Sequence, residues 1–179
     1  LTRRTILGDG QFAGYERTRP ENGGRAQLQG LELTLEQELE AFHQNLKGIE
    51  FQVHYTYQDS RQSVEDRAGE SLPLTGRPTH ELAVQLAYDR GGYYASVELE
   101  HTSRTLDSIG RNADEDRIVP SRNDWNLSLS REFRKGLRVF LDVKNLTALA
   151  ERRYRGDTSR PDSYALDLRE YRLGMKWEK

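Results

Sequence analysis

The chain has no cysteine, which excludes a disulfide scaffold, a thiolate metal site and a Cys nucleophile. It also lacks any run approaching the roughly 18 consecutive apolar residues of a transmembrane helix. Only 35% of its 179 residues are hydrophobic, and the mean hydropathy is −0.89. A helical membrane span is thereby excluded. A transmembrane β-barrel is not, because its strands alternate apolar and polar residues and read as hydrophilic on average. An excess of one charge is missing too: 27 Lys and Arg stand against 29 Asp and Glu. That balance argues against nucleic acid as a partner, since its readers carry a basic domain. The opening Leu1-Thr2-Arg3-Arg4 shows neither an initiator Met nor a signal peptide, so the expectation is a piece of a longer protein.

What the chain does have is a period of two, the spacing of a strand with one apolar face. Ile49, Phe51, Val53, Tyr55 and Tyr57 alternate with polar residues, as do Leu82, Val84, Leu86 and Tyr88, and then Tyr93, Ala95, Val97 and Leu99. The pattern resumes in Trp125, Leu127, Leu129 and Phe133, with Arg131 as the one polar intruder. It continues in Leu137, Val139, Leu141 and Val143, and in Tyr171, Leu173, Met175 and Trp177. Residues 26–39 suit a further strand, with a short helical turn over 39–46, although Leu31, Leu35, Leu39, Phe42 and Leu46 also fit a helical stripe. A partial strand is expected within residues 1–19.

The connections alternate in length. Asp89-Arg90-Gly91-Gly92 and Arg134-Lys135-Gly136 are tight turns, whereas 59–79, 103–123 and 147–163 are long and polar. Tight turns at one end and long loops at the other are the layout of an outer-membrane barrel; soluble sandwiches vary their loops without that alternation. Tyr88, Tyr93, Phe133 and Trp177 fall at the short-turn ends, while Tyr57 and Trp125 fall at the long-loop ends; with Tyr171 they form the expected lipid-facing aromatic girdles. Ordinary cross-strand aromatic pairing is the plainer account of the same residues. The opposite face carries Glu50, His54, Glu98, Glu100, Arg138, Asp142, Lys144, Arg172 and Lys176. Those charges suit a wide, wet or plugged lumen, or the solvated face of a soluble sandwich.

No catalytic constellation is visible. His43, His54, His80 and His101 are dispersed, without the i, i+4 spacing of a helical zinc site. Asn112, Asp114, Glu115 and Asp116 offer oxygens for Ca²⁺ but lack EF-hand spacing and read as a solvated acidic loop. Arg155-Gly156-Asp157 matches an adhesion tripeptide at chance level and reads as a turn. Asn126-Leu127-Ser128 and Asn145-Leu146-Thr147 match the glycosylation pattern, yet both fall in expected strands. There is no nucleophile elbow or phosphate loop, and no cofactor site.

Several stretches resemble TonB-dependent outer-membrane receptors. Pro20-Glu21-Asn22-Gly23-Gly24-Arg25-Ala26 followed by Gln29-Gly30-Leu31-Glu32-Leu33 resembles a loop and strand of that family. Leu46-Lys47-Gly48-Ile49 leading to Tyr55-Thr56-Tyr57-Gln58-Asp59-Ser60 resembles the next hairpin, and Leu72-Pro73-Leu74, Pro78 and His80 the entry to the strand after it. Most specific is Val143-Lys144-Asn145-Leu146-Thr147 with Tyr154 and Gly156, which resembles the penultimate strand and final extracellular loop. Arg169-Glu170-Tyr171-Arg172-Leu173-Gly174-Met175-Lys176-Trp177 resembles the closing strand. The family pattern ends in a lipid-facing aromatic residue, whereas parity here arrives at Lys179.

The resemblance implies an all-β fold: an antiparallel meander of about seven or eight transmembrane-type strands, cut from a barrel of about 22. Residues 1–179 would be the C-terminal portion of that barrel, without its plug domain. The implied function is binding and TonB-coupled import of a scarce ligand of the siderophore, cobalamin or glycan class, in the outer membrane of a Gram-negative bacterium, without enzymatic activity. The implied partners are outer-membrane lipid, the plug and remaining strands of the same chain, TonB through the plug, and a small-molecule ligand. Arg104, Arg111, Arg122, Arg152, Arg153 and Arg155 in the long loops are candidate contacts for anionic ligands or lipopolysaccharide. The alternatives are a small complete eight-stranded outer-membrane barrel, acting as an adhesin or a lipid-modifying enzyme, and a soluble lipocalin-like carrier.

Overall fold

The computed structural model describes residues 2–20, 25–133 and 136–177. Among the described residues thirteen strands follow one another: β1 (Thr2–Ile6), β2 (Glu16–Pro20), β3 (Ala26–Glu38), β4 (Ile49–Gln62), β5 (His80–Arg90), β6 (Tyr93–Thr102), β7 (Thr105–Ser108), β8 (Arg117–Val119), β9 (Arg122–Phe133), β10 (Leu137–Lys144), β11 (Glu151–Arg155), β12 (Pro161–Ala165) and β13 (Glu170–Trp177). Seven of them make one antiparallel sheet in the order β13-β10-β9-β6-β5-β4-β3. Every expected strand from residue 26 onward is in it. The strand reading of 26–39 holds over Ala26–Glu38, and the expected turn is two short 3₁₀ segments, Leu39–Ala41 and Gln44–Leu46.

Register explains why the sheet has two unlike faces. Leu35, Val53, Val84, Leu99 and Trp125 stand side by side in successive strands. One pair along, Phe51, Leu86, Val97, Leu127, Val143 and Tyr171 form the next row. Side chains alternate across a strand, so these rows share one face and the charged residues share the other. The seven expected girdle aromatics all lie on the apolar face. Tyr88, Tyr93, Phe133 and Trp177 sit toward the short turns, and Tyr57, Trp125 and Tyr171 toward the long loops.

Apart from Val143 at its long-loop end, that apolar face has nothing packed over it among the described residues. Leu173 and Met175 are each 76% exposed, Trp177 is 71% and Leu33 is 53%. Among the described residues the buried hydrophobics are Val64, Ala87, Ile118 and Val143. A lipocalin or sandwich would turn the same rows inward onto a second layer; here one layer is left with its apolar side bare, far beyond the patch a soluble monomer exposes. The sheet is also open, with β3 and β13 at its edges. Because β1 and β2 pair with each other, they supply no eighth strand to close it. The partial strand expected within 1–19 is thus a separate hairpin.

The alternation of short and long connections is present. β5 and β6 are joined by Gly91-Gly92 with φ of 63° and 76°, the two positive values a type I′ hairpin demands. The turn expected at Arg134-Lys135-Gly136 lies partly outside the described residues, as do Glu21 to Gly24 and Lys179. On the charged face Gly174 lies under the Phe140 ring, and Asp142 accepts two hydrogen bonds from Arg172, at 3.0 and 2.7 Å.

The long connections differ from the plain polar loops expected. β4 runs on to Gln62, so its loop begins at 63, and the last loop spans 145–169 rather than 147–163. Two of the three carry strands of their own: β7 and β8 lie in 103–121, β11 and β12 in 145–169. These join in a second sheet, ordered β12-β11-β8-β7.

Candidate functional site

The long-loop end is a cap held together by charges. Arg67, 4% exposed, rises from loop 63–79. Its Nη1 donates to Asp116 Oδ1 at 2.6 Å, Nε donates to Glu70 Oε1 at 3.1 Å, and Nη2 bonds the other Glu70 oxygen. The same Asp116 oxygen accepts from the Gly110 N–H at 2.8 Å, and the Asp116 carbonyl accepts from the Gly156 N–H at 2.8 Å. One carboxylate-bearing residue therefore ties loops 63–79, 103–121 and 145–169. The bonds to Glu70 and Asp116 push the Arg67 guanidinium further toward its charged form, and Arg67 holds the Glu70 carboxyl below its usual range.

Asn145 anchors the last loop at its root. It sits just past β10, not within a strand as expected, at φ 49°, a left-handed conformation that Asn tolerates. Its amide nitrogen donates to the carbonyls of Leu149 at 3.3 Å and Asp167 at 2.8 Å, and its oxygen accepts from the Leu149 N–H at 2.9 Å. Both ends of the loop are thus pinned, and Asn145 is buried, so the side chain the glycosylation pattern would use is already engaged.

Between these loops lies a cavity of about 560 Å³. Leu72, Pro73, Leu106, Ala113 and Ile118 give it apolar walls, with His80, Ser103, Arg104 and Asp116 among its polar groups. This is the mixture of apolar lining and few polar groups typical of small-molecule sites.

The six candidate arginines are placed differently. Arg104 lines the cavity; among the described residues neither its side chain nor that of Arg111, which lies outside the cavity lining, has an ion-pair partner. Arg122 donates twice to Asp124, each bond 2.6 Å, and reaches Asp167 at 3.4 Å. Arg153 pairs with Glu151 at 2.7 Å and Asp107 at 3.7 Å. Arg155 pairs with Asp162 at 2.6 Å, holding that carboxyl below its ordinary pKa. Arg152 lies over the Tyr164 ring, 5.6 Å from its centre.

The remaining polar motifs have local roles. Asn112 Oδ1 caps a 3₁₀ turn by accepting from Asp114 N at 3.0 Å, and Glu115 accepts from the Arg111 N–H at 3.3 Å. No group of three His, Cys, Asp or Glu is placed to hold a metal among the described residues. Gly156, at φ 69°, serves a turn, and Asp157 caps Ser159 at 2.7 Å. The histidines are scattered: His80 bonds the Tyr55 hydroxyl at 2.8 Å, His54 faces Glu32 at 3.3 Å, and His101 bonds Asn123 at 2.6 Å.

The charged face of the sheet is uneven. On β3–β6 the charged side chains of that face are Glu32, Glu36, Glu38, Glu50, Glu81, Asp89, Glu98 and Glu100, with His54 as the face's one basic group on those four strands among the described residues, whereas β9, β10 and β13 mix both signs.

The Arg67–Asp116 tie and the Asn145 staple were not expected from the sequence. The acidic run 114–116 was visible, but its partner lies 49 residues away. Among known protein families, the model described as TonB dependent receptor-like, beta-barrel matches residues 2–146. The closing-strand stretch 169–177 lies beyond that match. No curated protein and no solved structure matches the chain.

Proposed function

From the premise that the chain belongs to the TonB-dependent receptor-like β-barrel family of outer-membrane receptors and transporters, we propose that it is the C-terminal wall of a larger receptor. That receptor imports a scarce ligand of the siderophore, cobalamin or glycan class with TonB-coupled energy. The observation that carries this is the open seven-stranded sheet whose apolar face is left almost wholly bare, with short turns at one end and a structured cap at the other. Lipid would cover that face, and the remaining strands would take up its two free edges.

In this reading the girdle aromatics sit at the two headgroup levels. The charged face lines the lumen, where the acidic half on β3–β6 meets a basic surface of the plug. The cap takes part in ligand capture. Arg104 and Arg111 make the direct contacts with an anionic ligand, while Arg122, Arg153 and Arg155, already paired, hold the frame, and Arg152 flanks it through Tyr164.

Two measurements test this. An antibody against the segment should mark an outer-membrane band several-fold heavier than 20.7 kDa; a band at that mass would overturn the larger barrel. With the intact receptor, equilibrium binding of ferric siderophores, cobalamin and oligosaccharides should identify one bound class. Uptake of that class should stop when the proton gradient is dissipated. Arg104→Ala with Arg111→Ala should then weaken binding about tenfold, the scale of losing a hydrogen bond to a charged group. Undiminished binding would remove these arginines from ligand capture.

A further inference from the structure

Arg131 is a cation on the apolar face, and nothing described above uses it. It stands in the row between Tyr93 of β6 and Val139 of β10. Its guanidinium carbon lies 3.3 Å from the centre of the Tyr93 ring and 5.8 Å from that of Phe133. Nη1 donates to the Gly91 carbonyl at 3.0 Å. Stacked on one ring and flanked by another, the guanidinium is fixed in a defined plane. No carboxylate pairs with it among the described residues, and most of its five donors remain free.

A groove of about 550 Å³ runs from this cation along the apolar face. It owes its shape to Ala95, which stands in one row with Tyr88, Leu129, Leu141 and Leu173. A small side chain among large ones leaves a trough, and the trough is almost wholly apolar. An unpaired cation with a fork of free donors at the head of a hydrocarbon-lined groove complements one kind of molecule: an anion with an acyl chain. The depth agrees. Arg131 lies near the Gly91-Gly92 turn, at the aromatic level, where an outward-facing arginine costs about 0–1 kcal/mol rather than the 2–4 kcal/mol of the bilayer centre.

We propose that Arg131 and this groove hold one anionic glycerophospholipid of the leaflet at the short-turn end. Its phosphate accepts hydrogen bonds from the guanidinium, and one acyl chain lies along Ala95, Leu129, Leu141 and Leu173. The proposal rests on the reading of the apolar face as the lipid-facing wall.

The test uses the intact receptor in mild detergent, with phosphatidylglycerol as probe and phosphatidylcholine for comparison, bound lipid being counted by native mass spectrometry. The wild type should retain one more phosphatidylglycerol than Arg131→Gln, with affinity about tenfold higher, the scale of hydrogen bonds to a charged group. Arg131→Lys, which keeps charge but not the fork, should fall between them. Arg131→Gln can still donate to Gly91, so a residue that merely braces the turn predicts no loss of lipid. Equal retention in Arg131→Gln, equal preference for phosphatidylcholine, or displacement by millimolar inorganic phosphate would overturn the site. A fluorophore on Leu173→Cys, in vesicles of chain-brominated phosphatidylcholine, separates the two readings. If it is not quenched, the lipid-facing wall fails and the site with it; if it is quenched while retention is unchanged, the site alone fails.

Discussion

In the seven-stranded sheet, the face a side chain occupies follows from whether its number is odd or even along each strand, whereas in the cap it follows from a few charged partners far apart in sequence. Leu86 and Gln85 are neighbours with opposite surroundings because the pleat turns them apart. Arg67 and Asp116 share surroundings although 49 residues separate them. The wall is thus a repeating object in which each residue contributes a little, and the cap is a knotted set of contacts in which a few residues contribute most. Damage should therefore spread differently in the two regions.

The largest expected effect is in the cap. Arg67→Met leaves Asp116 buried without its cation, a loss of about 3–5 kcal/mol for a broken buried pair. Hydrogen exchange on the intact receptor should show loops 63–79, 103–121 and 145–169 opening together while β5 and β6 stay protected. Opening of loop 63–79 alone would refute the idea that Asp116 ties all three.

A smaller effect should appear in the wall, and only on one side of it. Leu86→Arg puts a charge on the face assigned to lipid and should cost about 2–4 kcal/mol in urea unfolding from vesicles. Gln85→Arg, opposite Glu98, should cost less than about 1 kcal/mol. Equal costs would break the assignment of faces.

The smallest effect is acid loosening of the cap. Glu70 and Asp162 are held below their ordinary pKa by Arg67 and Arg155. A carboxylate depressed by folding contributes stability that is complete above its unfolded pKa and is lost as pH falls through the folded value. Protection factors in the cap, exchange being corrected for its intrinsic pH dependence, should therefore fall below about pH 4, while the backbone ladder of β5 and β6 keeps its protection. Cap protection factors that stay constant to pH 2 would show that these pairs contribute nothing.

The same contrast explains what could be read from the sequence. Parity along Ile49–Tyr57, Leu82–Tyr88 and Tyr93–Leu99 announces the wall, because one apolar face repeats in every strand. Arg131 breaks that pattern in the sequence itself. In the cap, β7 and β8 are four and three residues long, too short for a period to show, and they sit among polar residues. The arginines there were visible as charges, but a charge does not declare its partner: Arg67 gives no local sign of Asp116, 49 residues away, nor Arg104 of its freedom. Asn145 belonged to the most specific motif, yet its left-handed backbone was hidden by the strand that runs into it. Pattern repeats are local, whereas ion pairs across loops are not.

The strands inside the long loops also bear on how quickly such a chain can organise. Most wall pairings join strands adjacent in sequence, and the exceptions, β6 with β9 and β10 with β13, must span 103–121 and 145–169. Loop closure grows more costly with length, by about 0.6 kcal/mol per doubling. Because β7–β8 and β11–β12 are hairpins, they draw the ends of those spans together before the wall strands meet. The chain can then advance hairpin by hairpin, each step a short-range search on the microsecond scale of hairpin formation. The pairing of Tyr154 with Ile118, which joins one excursion to the other, is expected among the last to form.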